Sequence, residues 1–179
     1  MKTSIIFTLL IGISSFAQDS GADLVTQIGL IKKLQPEISK IGVFLGPDDL
    51  ESMKPFLLKA QTDHGVTIVT LALKEMRQKI SQYIRVAANG AYKTHQVQAL
   101  YFYNGKNMVT KSPVAMKVTG AEMKKNGVPI YSSNEKGLSL GCLGQFQKDG
   151  DQWVVWVKQD LAGELGINLP TDTNLFQPQ

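Results

Sequence analysis

Apolar positions along this chain change period several times, and each change marks an element. Between Gly21 and Ser39, the residues Leu24, Ile28, Ile31 and Leu34 recur at spacings of four, three and three. That places them on one helical face with Lys32 and Lys33 turned outward. Pro36 ends or breaks this helix. Ile41 to Leu45 is a short apolar run without polar alternation, the look of a strand covered on both faces in a parallel sheet. Gly46-Pro47-Asp48 then turns the chain. Asp48 or Ser52 is placed to cap the helix that follows, whose inner stripe is Met53, Phe56, Leu57 and Ala60. Pro55 belongs in its first turn, where a missing N–H does no harm.

The alternation then repeats. His64-Gly65 closes the helix, and Val66 to Leu73 reads as a second buried strand. Lys74 to Ala91 predicts a helix carrying Met76, Ile80, Ile84, Ala87 and Ala88, with Asn89-Gly90 as its stop signal. Val97 to Tyr103 is a third strand, turned by Asn104-Gly105. A third helix runs from Ser112-Pro113 to Asn126-Gly127, weakened by Gly120. Val128 to Tyr131 is a fourth strand and Leu138 to Leu143 a fifth. Asp149-Gly150, between CLGQF and QWVVWV, predicts a hairpin, and Leu161 to Leu165 one helical turn. Strand and helix alternating at this interval build right-handed βαβ units. The fold class is therefore α/β: three-layer, Rossmann- or flavodoxin-like, with a mostly parallel sheet of about five strands and a C-terminal hairpin strand.

The N-terminus changes the picture. Met1 to Ala17 carries Lys2, an apolar run from Ile5 to Ile13, and small residues at Ser15 and Ala17, the pattern of a secretory signal peptide. The run is too short to span a bilayer. The expected organisation is a signal peptide over 1–17, a single α/β binding domain over 18–170 and a loose tail over 171–179. The expected location is periplasmic or secreted, with no transmembrane segment after cleavage. The net charge of +4 is mild and its basic residues are dispersed, which argues against a nucleic-acid partner. Cys142 is the only cysteine, so no internal disulfide can form and stability must come from packing.

Chemistry-bearing constellations are sparse. His64 and His95 are the only histidines; one ends a helix and the other sits in a loop, so neither serves a nucleophile. Cys142 reads as inert core, and Asp63 with His64 as surface neighbours rather than a metal site. Neither a P-loop nor a G-x-G-x-x-G fingerprint occurs. Asp48 and Asp49 are explained by their place at a helix start. The chain is thus expected to have no catalytic residue, no metal site and no cofactor. A small ligand would sit at the carboxyl ends of the parallel strands, where loops meet helix N-termini. The candidate residues there are Gly46, Pro47 and Asp48; Tyr103, Asn104 and Asn107; and Ser132, Ser133 and Asn134. Tyr101 and Tyr103 share a sheet face, as a stacking platform or as ordinary packing under a helix. The same rim could serve a membrane or envelope protein as partner.

QIGLIKKLQPEISKIGVFLGPDD, from Gln27 to Asp49, resembles the "LxLIKxLxPxxKxIGVLYNP" with which ABC-transporter substrate-binding proteins of the tryptophan/tyrosine type open their second lobe. VQALYFYNGKNMV is similar to that family's "VDALYVPTDNTV", NGVPIYSSNEKG to its "xKIPVFAxxxxxxxxG", Gly137 to Gly144 to its "GALASLGxDY", and QWVVWVKQDLAGELGINLP to its "xxLVxNLxxAKxLGxxIP". The resemblance spans residues 27 to 170 and implies a single lobe of a type I periplasmic binding protein fold, binding a small ligand or a partner. The family's first lobe has no counterpart here, the loop between Ser133 and Gly137 is shorter, and Phe146 to Asp151 replaces the family's "DYxxLG" helix. The segment LGQFQKDGDQWVVWVKQDLAGELGINL also resembles the ending of YfiR-type proteins, which implies a periplasmic regulator of a membrane-bound signalling protein; their "FLYNFxxFxxWP" opening is absent.

Overall fold

In the computed structural model, which describes residues 12–72, 80–103, 112–171 and 174–179, the periodic segments become five helices and seven strands among the described residues. In chain order these are α1 (Gly12–Leu34), β1 (Lys40–Leu45), α2 (Leu50–His64), β2 (Thr67–Ala72), α3 (Ile80–Lys93) and β3 (Ala99–Phe102). Then come α4 (Pro113–Lys125), β4 (Ile130–Ser132), β5 (Gly144–Asp149), β6 (Gln152–Val157), α5 (Gln159–Glu164) and β7 (Phe176–Pro178). One sheet holds all seven strands in the order β2-β1-β3-β4-β5-β6-β7. Strands β1 to β5 run parallel, β6 is antiparallel to β5, and β7 runs parallel to β6. The fold is the expected α/β sandwich, with its sheet closed by an antiparallel C-terminal hairpin.

The two faces of the sheet separate by residue parity, as a period of two requires. Ile41, Val43, Leu45, Ala99, Tyr101, Tyr131, Phe146 and Val155 pack under α1 and α2, where Leu24, Ile28, Ile31 and Leu34 form the predicted inner stripe. Phe44, Leu100, Phe102 and Ile130 pack on the other side against Ala88, Ala91, Met116 and Met123 of α3 and α4. Both faces of β1 and β3 are covered, which is why these strands read as unbroken apolar runs. Ser112 caps α4, its hydroxyl accepting the Ala115 N–H at 3.2 Å, with Pro113 next to it. Among the described residues no helix is long and apolar enough to cross a membrane.

Several local expectations are corrected. Leu138 to Leu143 is not a strand: Leu138–Leu140 forms a 3₁₀ turn, and Gly141 adopts φ +94°. Because β5 lies parallel to β4, the chain must travel back along the sheet before β5 begins, and this turn lies on that return path. The fifth place in the sheet goes instead to the first arm of the hairpin, turned by Gly150 at φ +60°. Residues 171–179 are not loose throughout, since Phe176–Pro178 pairs with Val155–Val157 and Phe176 is buried. That adds β7 and brings the sheet to seven strands rather than about five.

The helix ends also differ. Asn89-Gly90 does not stop α3, which continues to Lys93; Asn89 instead donates to Glu122 of α4 at 3.2 Å. A 3₁₀ turn over Pro47–Asp49 leads into α2, so Pro55 falls inside the helix rather than in its first turn. No side chain caps α2: Asp49 makes no cap bond, and the Ser52 hydroxyl donates to the Asp49 carbonyl at 3.0 Å. Met76 of the predicted Lys74 start lies outside the described residues.

Candidate functional site

Strand order 2-1-3 reverses the direction of winding at β1 and β3, and in open α/β sheets the crevice beyond such a reversal is where ligands bind. Strands β1, β3 and β4, after which the sequence places the three loops, are consecutive neighbours, so their carboxyl ends form one continuous rim. Backbone bonds stitch it together. The Tyr103 N–H donates to the Phe44 carbonyl at 3.3 Å, and the Ser133 N–H to the Phe102 carbonyl at 3.2 Å.

Seven of the nine candidate residues fall among the described residues, and each of these has a definite place. Gly46 is buried and extended, φ −66° and ψ 147°, and its carbonyl accepts the Asp49 N–H at 3.0 Å. Pro47 and Asp48 are exposed beyond it. Tyr103 is 8 % exposed and belongs to the core under α1 and α2. Ser132 is fully buried, with its hydroxyl accepting the Asn134 N–H at 3.0 Å, and Asn134 Oδ1 accepts the Lys136 N–H at 2.8 Å. These two side chains therefore build the turn after β4, while Ser133 is half-buried beside it. Asn104 and Asn107 lie outside the described residues.

Tyr101 takes the packing role, not that of an exposed platform. It is fully buried, its ring 6.4 Å from that of Tyr103 and 5.6 Å from that of Phe146. Its hydroxyl donates to Gln27 Oε1 of α1. Burial pushes the phenol well above its ordinary ionisation range, opposed in part by a hydrogen bond with Ser133. Directly opposite Tyr101 on β4, the Tyr131 hydroxyl donates to Gln35 Oε1 at 2.5 Å, and burial again drives its ionisation upward. Gln27 and Gln35 are both buried, and the apolar pattern alone did not single them out. Their signal was positional: polar residues eight apart, both within the stripe set by Leu24, Ile28, Ile31 and Leu34.

Of the other groups, Cys142 is in the core as expected, whereas His64, expected at the surface, is part-buried between two helices. Cys142 is buried and its thiol is pushed up to about 12 by desolvation, which suits inert core. His64 Nε2 lies 3.0 Å from the Val25 carbonyl, joining α2 to α1. Among the described residues no cluster of three His, Cys, Asp or Glu is placed to hold a metal. Several clefts lie away from the rim. One of about 310 Å³ lies between α4 and α5 and is lined by Lys117, Lys124, Lys158, Asp160 and Glu164. Another, about 500 Å³, lies by Tyr92, Gln96 and Asn126, where α3 and α4 end.

Comparison with protein-family models and with curated proteins finds no match. Solved structures do match. The chain is similar to a conserved domain protein from Vibrio cholerae, with a TM-score of 0.68 at 13% identity over 87% of this chain and 59% of that one. It is also similar to the ligand-free, open structure of a substrate binding protein with adhesive properties from Clostridium difficile. There the TM-score is 0.62 at 14% identity, over 85% of this chain and 58% of that one. The chain thus spans less than two thirds of the length of these structures. At such identities the likeness establishes a substrate-binding-protein-like fold.

Proposed function

We propose that the chain is an exported binding module that recognises a small ligand or a partner at the carboxyl rim of β1, β3 and β4 without transforming it. The observation that carries this reading is the winding reversal at β1 and β3, with the carboxyl ends of β1, β3 and β4 adjacent on one edge. The substrate-binding-protein-like fold supports it, and the tryptophan/tyrosine-type resemblance supports a nitrogenous solute. Charge narrows the class further. Asp48 and Asp49 occupy the first turn after β1 and Pro47 removes a donor there, so this helix start is already neutralised against an anion. With Asp48 exposed, a ligand presenting N–H donors fits better than a phosphorylated one.

The test is a thermal-shift screen of the purified chain against amino acids, nucleosides and purines, because a ligand that binds only the native state raises the melting point. A reproducible rise with one class, weakened by Asp48→Lys, is the expected result. A second reading is favoured by the hairpin β5/β6 with α5 directly after it, the layout shared with the YfiR-type ending: a surface, not a pocket, engages a membrane-bound signalling protein. No shift with any compound, together with co-purification of a membrane protein, would select that reading. Export itself predicts a mature N-terminus at Gln18, read by mass spectrometry of the secreted chain.

A further inference from the structure

The two edges of the sheet are unlike each other. At one edge β7 is three residues long and ends in Pro178, so it offers little backbone to a further strand. At the other, β2 pairs with β1 along all six of its residues and contains neither proline nor a charged side chain. Edge strands of this kind are ordinarily guarded by lysine, proline, a bulge or a covering loop. The guard found among the described residues is Gln61 of α2, whose Oε1 accepts the Ile68 N–H at 2.9 Å. The Thr67 N–H donates inward to Ser39 at 2.7 Å. Strand alternation therefore turns the N–H and C=O of Thr70 and the C=O of Ile68 toward the open edge. Among the described residues these groups have no partner.

The side chains around this edge are apolar as well. Ile68, Val69 and Leu71 pack on the two cores yet remain only partly buried. Leu58, 55% exposed, precedes Gln61 by three residues and shares its face of α2. Because α2 descends as β2 ascends, Leu58 stands level with the unguarded stretch at Thr70.

We propose that the β2 edge is an interface between two copies of this chain, with β2 pairing antiparallel to its counterpart about a twofold axis. Identical edges are self-complementary in that arrangement, and a register centred on Val69 or Thr70 keeps like faces of the two sheets on one side. No charge within Thr67–Ala72 meets its own copy across the axis. Antiparallel pairing also points the two carboxyl rims in opposite directions, leaving both open.

Sedimentation velocity of the purified chain over a roughly hundredfold concentration range is expected to show a monomer–dimer equilibrium. Thr70→Lys, which puts a charge on the edge, and Leu58→Lys, on the exposed helix face, are each expected to weaken association at least about tenfold. Both should leave the melting point of the dilute monomer unchanged. Val69→Cys or Thr70→Cys should give a covalent dimer on oxidation, while the parent chain, whose Cys142 is buried, gives none. A monomer at every concentration would overturn the proposal. So would a dimer that persists in both lysine variants, or one that neither engineered cysteine traps.

Discussion

Between α1 and the sheet, directional bonds accompany apolar packing: Gln27 with Tyr101, Gln35 with Tyr131, and Trp153 Nε1 donating to Asp23 at 2.7 Å. Between α3/α4 and the sheet, the described contacts are apolar, with Phe44 against Phe102 at 5.0 Å between ring centroids and Met116, Met123 and Cys142 around them. Apolar burial is non-directional, so it fixes how much surface is covered and not which rotation of a helix covers it. Hydrogen bonds in a buried setting supply that choice, since a mismatched rotation leaves polar atoms unpaired. The bonded face reaches the rim with side chains, through Tyr101 and Ser133. The apolar face provides bulk stability, and its Phe44 and Phe102 meet the rim through their backbone carbonyls.

The largest expected effect falls on the apolar face. Phe102→Ala should cost about 3–5 kcal/mol in urea unfolding, as deletion of a fully buried aromatic ring does. A loss under about 1 kcal/mol would mean that this face is not the close-packed one. On the bonded face the asymmetry of hydrogen bonding matters more than volume. Gln27→Ala, which takes from the buried Tyr101 hydroxyl its acceptor on α1, should cost about 1–3 kcal/mol, whereas Gln27→Leu with Tyr101→Phe should be nearly neutral. A double variant as unstable as the single one would break the comparison.

Alkaline pH sharpens the same contrast. The Cys142 thiol would ionise at 9.0 in the open chain but only at about 12 when folded, and Tyr101 and Tyr131 are held above their ordinary 10.0. The unfolded chain therefore loses these protons first. Their contribution is fully present below about pH 9 and is lost as pH rises toward 12 and beyond. Melting points measured across that range should fall, and Tyr101→Phe with Gln27→Leu should shallow the fall; a flat profile would contradict the burial of these groups. The smallest effect belongs to neither face. Lys59 and Asp63 pair at 2.8 Å on the surface of α2, and Asp63→Asn should change stability by about 0.5 kcal/mol or less.

What could be read from the residues followed from periodicity. The unbroken run of Ile41 to Leu45, the stripe of Leu24 to Leu34 and the Ser112-Pro113 start were legible because burial on both faces, burial on one face and capping each leave a local mark. The hairpin was legible from Asp149-Gly150. Leu138 to Leu143 misled because a short apolar stretch looks alike whether it forms a strand or lines a turn packed on a helix. A Cβ on Gly120 of α4 would lie 3.1 Å from the Gly141 carbonyl, a closeness no local pattern announces. Phe176 likewise joins the sheet through pairing with Val155, more than twenty residues away. The rim was legible only as topology: βαβ order says where loops gather. That Ser132 and Asn134 are spent on their own turn depends on geometry between residues two apart.

Recognition at the carboxyl rim of β1, β3 and β4 is open to amide-resolved NMR of the isotope-labelled chain, titrated with amino acids, nucleosides and purines in turn. One of these classes is expected to shift the amides of Gly46, Asp48, Tyr103, Ser133 and Asn134 together. Shifts confined to the α4–α5 cleft, or a spectrum unmoved by every class, would contradict it.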